Sequence, residues 1–184
     1  MSSSHAQPRP GPTIIIVMGV SGSGKTTLAE NIAKVMGWDH AEADEFHPQA
    51  NIDKMASGHP LTDEDRWPWL RLIGDWINTK VEANEPAIVT CSALRRVYRD
   101  LLREGRPQVR FCHVIGDQEL LADRMRHREH FMPPELLPSQ FATLEPLEAD
   151  ELAGGDVEVS VAGTPEETLA EALEALNLTE GAQQ

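Results

Sequence analysis

Apolar positions along the chain fall into short continuous runs separated by stretches with helical spacing. "TIIIVM" over 13–18 is continuous, β-branched and apolar, which suits a strand buried on both faces of a parallel sheet. It leads through glycines into "TTLAENIAKVMG", where Leu28, Ile32 and Val35 recur at helical spacing and Gly37 supplies a stop. Four further runs predict strands: "DHAEA" (39–43), "AIVTC" (87–91), "VRFCHVI" (109–115) and "DVEVSV" (156–161). Helical periodicity returns between and after them in "LRLIGDWINTKVE", "ALRRVYRDLLRE", "DQELLADRMRH" and "PEETLAEALEAL". Strands alternating with helices predict an α/β fold, a mostly parallel five-stranded sheet with helices on both faces.

Two segments interrupt the alternation, 44–69 and 128–155, both longer than ordinary connections and of the length expected for lids or binding loops. In the first, "TDED" from Thr62 to Asp65 fits a capping box that opens a helix. Pro68 then falls inside that helix and predicts a kink or a restart.

A chain of 184 residues makes one domain large enough to bury a core without staples. Cys91 and Cys112 each lie in an apolar run, without metal-ligand spacing to another Cys or His, and read as small buried hydrophobes. The Ser- and Pro-rich opening predicts a disordered tail over 1–12, followed by a single domain over 13–178 and a C-terminal tail over 179–184. That opening has no apolar stretch of signal-peptide length, and no run approaches the roughly 20 residues that cross a bilayer. A soluble, cytoplasmic protein is expected.

The net charge of −14 argues against a general nucleic-acid binder. Its distribution is uneven: eleven acids and no Lys or Arg lie from Glu145 onward, whereas Arg95–Arg128 holds nine of the sixteen basic residues. Arg99, Arg103 and Arg106 are expected at the surface, on a solvated helix face. Trp67, Trp69 and Trp76 are expected to pack rather than to form a sugar platform.

Gly19, Gly24, Lys25 and Thr26 complete G-x-x-x-x-G-K-[ST] between a predicted strand and a predicted helix, the context a phosphate-binding P-loop requires. Its glycines let successive N–H groups face one anion, and the helix N-terminus adds partial positive charge. Gly19, Val20, Ser21, Gly22, Ser23, Gly24, Lys25, Thr26 and Thr27 are therefore the expected nucleotide-binding residues. Lys25 would reach the β- and γ-phosphates of ATP, and the Thr26 hydroxyl would ligate Mg²⁺. The expected fold is thus a P-loop NTPase three-layer sandwich. P-loop proteins include motors, switches and small kinases, so the loop alone names no acceptor.

The second predicted strand ends in "EADEFHP", with Glu42 and Asp44 at i and i+2 on one side of an extended backbone. Carboxylates there can hold Mg²⁺ through water or take a proton from an attacking hydroxyl. The blocks "MGVSGSGKTT", "ADEFHP", "NIDKMASGHPLTDEDRWPWL", "CSALRRVYRDLLRE" and "HFMPPELLPSQFATLEP" together resemble the gluconokinase family, in the family's order from residue 18 to about 146. These are small P-loop kinases that phosphorylate D-gluconate at its 6-hydroxyl using ATP. The "KMASGHPLTDEDRWPWL" block is far more specific than the P-loop.

The resemblance implies an adenylate-kinase-like core, an acceptor-binding segment over 44–80, a lid over roughly 124–148, and a homodimer. It implies that Asp44 binds and orients the acceptor hydroxyl, with general-base assistance, and that His47, Lys54, Arg66 and the turn Ser92–Arg95 hold the acceptor. Either Arg66 or Arg95 would clamp the carboxylate, since a planar guanidinium pairs both oxygens. In the lid, Arg124 and Arg128 would neutralise charge during transfer, while His130 and Gln140 would close on the acceptor. Glu42, with Thr26, completes the expected metal site.

The chain departs from the family in two places. "REHF" puts Glu129 where members read a hinge glycine. "VEVSVAGTPEE" lacks the aspartate that often follows the last strand, where the adenine is expected. Two other readings remain at this point: a kinase for another polar acceptor such as shikimate, and a switch that hydrolyses nucleotide without an acceptor.

Overall fold

The computed structural model describes residues 11–20, 22–126 and 137–178. Five strands form one sheet: β1 (Ile14–Met18), β2 (Asp39–Glu42), β3 (Ala87–Thr90), β4 (Val109–Ile115) and β5 (Val157–Ser160). Their spatial order is β2-β3-β1-β4-β5, and every pairing is parallel. All five predicted strands are present, each within a residue of its expected bounds.

The apolar runs form strands because both faces of the sheet are covered. From one face Ile15, Val17, Ile88, Cys112, Val114 and Val159 pack on helix α1 (Lys25–Met36) and on Ala172 and Leu176 near the C-terminus. From the other, Ile14, Ile16, Met18, Val89 and Phe111 pack on Leu70, Ile73, Ile77, Tyr98 and Leu102. Ile16 lies opposite Val89 in one neighbouring strand and Phe111 in the other, so the register brings large side chains into one layer. The expected three-layer sandwich is the observed one.

Helix α1 ends at Gly37, whose φ of 72° lets the chain turn back, as its place after the last periodic residue predicts. After β2 comes a 3-10 turn over Ala43–Phe46, then a short helix α2 (Gln49–Ala56) that the periodicity did not announce. Helix α3 (Asp63–Glu82) opens with the expected capping box: the Thr62 side chain accepts from the Asp65 N–H, and the Asp65 carboxylate accepts from the Thr62 N–H at 2.8 Å. Of the kink or restart expected at Pro68, the restart does not occur, and α3 continues through it. The carbonyl that loses its donor there belongs to Glu64, an exposed residue near the helix start where water can satisfy it.

Helix α4 (Arg96–Arg103) follows β3, and α5 (Gln118–Arg126) follows β4. The second long segment contains α6 (Leu137–Thr143) and α7 (Ala149–Ala153), neither of them anticipated; the chain closes with β5 and α8 (Pro165–Ala175), capped by Thr164 and Glu167. Among the described residues, no helix is long and apolar enough to cross a membrane.

The expectation that Arg99, Arg103 and Arg106 lie at the surface is corrected. Arg99 is fully buried; its Nε and Nη2 pair with Glu151 at 2.7 and 2.9 Å. Arg103 is half-buried and pairs with Glu151 and Asp156. Arg106, also half-buried, donates from Nε to Asn78 at 2.9 Å and from Nη1 to the carbonyls of Leu101, Leu102 and Glu104. Buried charge is tolerated where it is paired, and the carboxylate partner of Arg99 lies 52 residues away in sequence, beyond the reach of helical periodicity. Cys91 and Cys112 are buried as expected, and burial pushes each thiol up to about 12.

Candidate active site

The described loops that carry predicted site residues, after β1, β2 and β3, leave the carboxyl edge of the sheet. β1 and β3 are neighbours, but the helix after β1 covers one face and the helix after β3 the other. Ligands of open α/β sheets bind in the crevice opened at such a switch point. The Gly19 N–H donates to the Ser92 carbonyl at 3.2 Å across that crevice and joins the P-loop to the turn after β3.

The cradle is built by close approach. At Gly19, φ is 150° and a Cβ would lie 2.9 Å from Ser23 Oγ, Val114 Cγ2 and the Val114 carbonyl oxygen, so only glycine fits. The Ser23 hydroxyl is buried, and among the described residues it has no hydrogen-bond partner. An orphaned buried donor beside a glycine-rich loop is what a phosphate oxygen would satisfy. Lys25, at the start of α1, donates from Nζ to the carbonyls of Gly19 at 2.9 Å and Val20 at 3.0 Å, which holds its ammonium at the loop. Burial pushes the Lys25 pKa down, opposed first by the charge of Asp44 and then by Cys91 and Glu42. Of the three residues expected to be catalytic, Lys25, Asp44 and Arg128, the first two are therefore electrostatic neighbours.

Thr26 is exposed in the first turn of α1. Glu42, the other expected metal ligand, accepts a hydrogen bond from Thr90 Oγ1 and faces His40 Nε2 at 3.2 Å. Among the described residues, Glu30, His40 and Glu42 are the group with metal-ligand spacing, their ligand atoms lying within 4.8 Å of one another. A hydroxyl and carboxylates are hard oxygen donors of the kind Mg²⁺ takes.

Among the described residues expected to hold the acceptor, His47, Lys54, Arg66 and Arg95 lie in or beside the elements that follow β2 and β3. His47 is buried and stacks on Trp69, with ring centroids 4.1 Å apart and planes at 11°. Burial and the nearby Arg66 charge lower its pKa to about 4, which keeps it neutral at pH 7. Trp69 in turn donates to the Ala43 carbonyl at 2.7 Å and fixes the start of the 3-10 turn that carries Asp44. Lys54 pairs with Asp65 at 2.7 Å, and Asn51 donates to the Asp65 carbonyl at 2.9 Å, tying α2 to the capping box of α3. The tryptophans pack as expected: Trp67 meets Tyr98 edge-on and Trp76 meets Phe46.

Arg66 and Arg95, the alternative clamps, lie together. Arg95 pairs with Asp63, Arg66 donates to Tyr98 Oη at 3.0 Å, and Tyr98 donates to Asp63. Both guanidinium groups also lie over the Tyr98 ring, at 5.3 and 5.7 Å. The Tyr98 hydrogen bond, followed by that of Arg95, holds the Asp63 carboxyl below its usual range. Tyr98 and Asp63 were not singled out in the sequence. The only local signal was the position of Asp63 between the cap and Arg66.

On the nucleotide side, Gly24, Thr27, Leu28, Arg124, Val161 and Thr168 surround a cavity of about 180 Å³ beside the P-loop. Arg124 donates to the Val161 carbonyl at 3.0 Å on its rim. Gln140 lies half-buried in α6. Ser21, Arg128, Glu129 and His130 lie outside the described residues.

A parallel sheet in this order, with a lysine-bearing glycine loop after its central strand, defines the class of P-loop kinases. A family profile described as "AAA domain" matches residues 14–147. The chain is 52% identical to a gluconokinase of Gluconobacter oxydans over 73% of its length and 76% of that protein's. The crystal structure of a gluconokinase from Sinorhizobium meliloti superposes with a TM-score of 0.79 at 46% identity, covering 92% of this chain and 94% of that one. That of an unliganded sugar kinase from a Janibacter species superposes with a TM-score of 0.86 at 47% identity, covering 94% and 99%. The chain belongs to the gluconokinase family.

Proposed function

We propose that this kinase transfers the γ-phosphate of ATP to the 6-hydroxyl of D-gluconate, giving 6-phospho-D-gluconate and ADP. The observation that carries the acceptor is the meeting of Arg66 and Arg95 around Tyr98 and Asp63, within the blocks that carry the family resemblance. Gluconate has a carboxylate at one end and a primary alcohol at the other. A two-arginine clamp suits the first, and Asp44 beside Lys25 suits the second.

In this reading the P-loop N–H groups and Lys25 hold the β- and γ-phosphates and offset charge in the transition state. Asp44 orients the acceptor hydroxyl and takes its proton. His47, neutral and stacked on Trp69, offers a ring nitrogen as hydrogen-bond partner, and Ser92, Lys54 and Gln140 line the path of the polyol. Thr26, with Glu42 acting through water, would hold Mg²⁺, which supplies charge neutralisation at the phosphates. The adenine takes the cavity between Thr27, Arg124 and Val161. The lid over 124–148, the homodimer and the cytoplasmic setting belong to the same proposal and rest on the family resemblance.

The test is ADP release with Mg-ATP, comparing D-gluconate with shikimate, other sugar acids and no acceptor. Acceleration by gluconate alone, with the phosphate on C6, is expected. Equal turnover without an acceptor, or a preference for shikimate, would refute the reading.

A further inference from the structure

Resting on the proposed gluconate site, we infer that the buried Arg99–Glu151 pair is a positioning device that sets the acceptor-holding turn Ser92–Arg95. Arg99 lies in α4, directly after that turn, and touches three separate parts of the chain. Its Nη1 donates to the Ala93 carbonyl at 3.0 Å, its Nη2 to the Pro146 carbonyl at 3.3 Å, and its Nε and Nη2 to the two carboxylate oxygens of Glu151. Both side chains are almost completely buried, at 0 and 1% exposure.

The turn needs such an anchor. Ala93 has φ of 45°, a left-handed conformation that a non-glycine residue adopts only when its surroundings hold it there. The turn is also gripped on both sides of Ala93. The Ser92 carbonyl accepts from Gly19 of the P-loop, and the Leu94 carbonyl accepts from the Glu145 N–H at 2.6 Å. Glu145 returns the contact: one carboxylate oxygen accepts from the Arg96 N–H at 2.8 Å, and the other lies 3.5 Å from Arg95 Nε. Arg99 thus fixes from below both the strained carbonyl of the turn and the 145–146 segment that holds Arg95. Arg95 in turn faces Asp63 in the acceptor cluster.

Glu151 is itself located by its surroundings. It accepts from the Glu148 N–H at 3.1 Å and pairs with Arg103, which also reaches Asp156 at 2.6 Å. Asp156 accepts from the Phe111 N–H at 2.9 Å, so the anchor is tied to the sheet beside β4. The geometry of Arg95 is in this way referred to the sheet through Arg99, whereas the P-loop follows β1 directly and meets this turn through the Gly19–Ser92 hydrogen bond. An error in the anchor therefore moves the acceptor clamp more than the nucleotide cradle.

The test is steady-state kinetics of Arg99→Lys and Glu151→Gln in the full chain, with wild type as the control that examines the gluconate reading itself. Lysine keeps the charge and loses the fork; glutamine keeps the shape and loses the charge. Each variant that unfolds above the assay temperature by circular dichroism is expected to show KM for D-gluconate raised about tenfold or more, with KM for ATP within about twofold of wild type. A merely structural role would instead lower the active fraction and leave both KM values unchanged. Both KM values unchanged, or both rising together, would overturn the proposal. So would failure of both variants to fold, which would make the pair a requirement of the fold. A wild type inactive on gluconate would refute the acceptor reading first.

Discussion

At the scale of single residues, the site is an assembly of side chains whose charge state is set by their neighbours. Lys25 is pushed toward neutrality by burial and returned toward the charged state by Asp44, Cys91 and Glu42, so the proposed catalytic cation depends on the acid near it. Lys25→Ala should lower kcat by about 10²–10³-fold, the usual loss when a preorganised charge is removed from a transition state. Among the described residues, two hydrogen bonds to loop carbonyls go with it. The thermal midpoint should therefore fall by no more than about 8 °C, measured by calorimetry alongside the kinetics. Near-wild-type turnover would remove Lys25 from the mechanism. At this scale the sequence was legible where spacing carries the chemistry, as in the P-loop. It was misleading at Arg99, one basic residue among several in "ALRRVYRDLLRE" with nothing local to mark it as buried.

At the scale of elements, helix α3 carries much of the proposed acceptor side. Its first turn presents Asp63, Glu64 and Asp65 to the positive end of the helix dipole, and Asp65 is shared between the Thr62 cap and Lys54 of α2. Hydrogen bonds from Lys54 and Thr62 hold the Asp65 carboxyl down at about 2. Thr62→Ala should cost about 1 kcal/mol, lowering the thermal midpoint by about 2–4 °C, whereas Thr62→Ser should restore most of it. An unchanged midpoint in the alanine variant would show that Lys54 and Asp65 hold this end without the cap. The capping box was readable from Thr62 and Asp65 alone. Helix α2 was not, because eight residues with polar positions on most sides give too short a period to separate from a loop.

At the scale of the whole molecule, two buried histidines couple folding to pH. Burial, with the Arg66 charge, lowers His47 to about 4, and burial, with Arg99 and Lys25, lowers His113 to about 4. In the unfolded chain both return to the ordinary value near 6.5, so between those limits the unfolded state binds more protons. Stability is fully present above about pH 6.5 and declines as pH falls toward 4. Below that, carboxyls held low by their partners, Asp65 and Glu151 among them, add to the loss as they protonate. The urea midpoint should be level from pH 7 to 8 and fall steadily between pH 6.5 and 4.5. A flat profile through that range would mean that neither histidine is buried neutral.

The sequence by itself determined the α/β class, the five strands, the phosphate loop and the family. Each depends on information confined to a short window: an apolar run, a helical period, a fixed motif spacing or a contiguous block. Tertiary structure alone decided which charges are internal and which side chains share a site. Arg99 meets Glu151 across 52 positions, Arg95 meets Asp63 across 32, and Thr90 reaches Glu42 across 48. No local pattern encodes such pairings, because a charge in the sequence looks the same whether water or a carboxylate will surround it. The folded core excludes water, and that exclusion makes each pairing necessary.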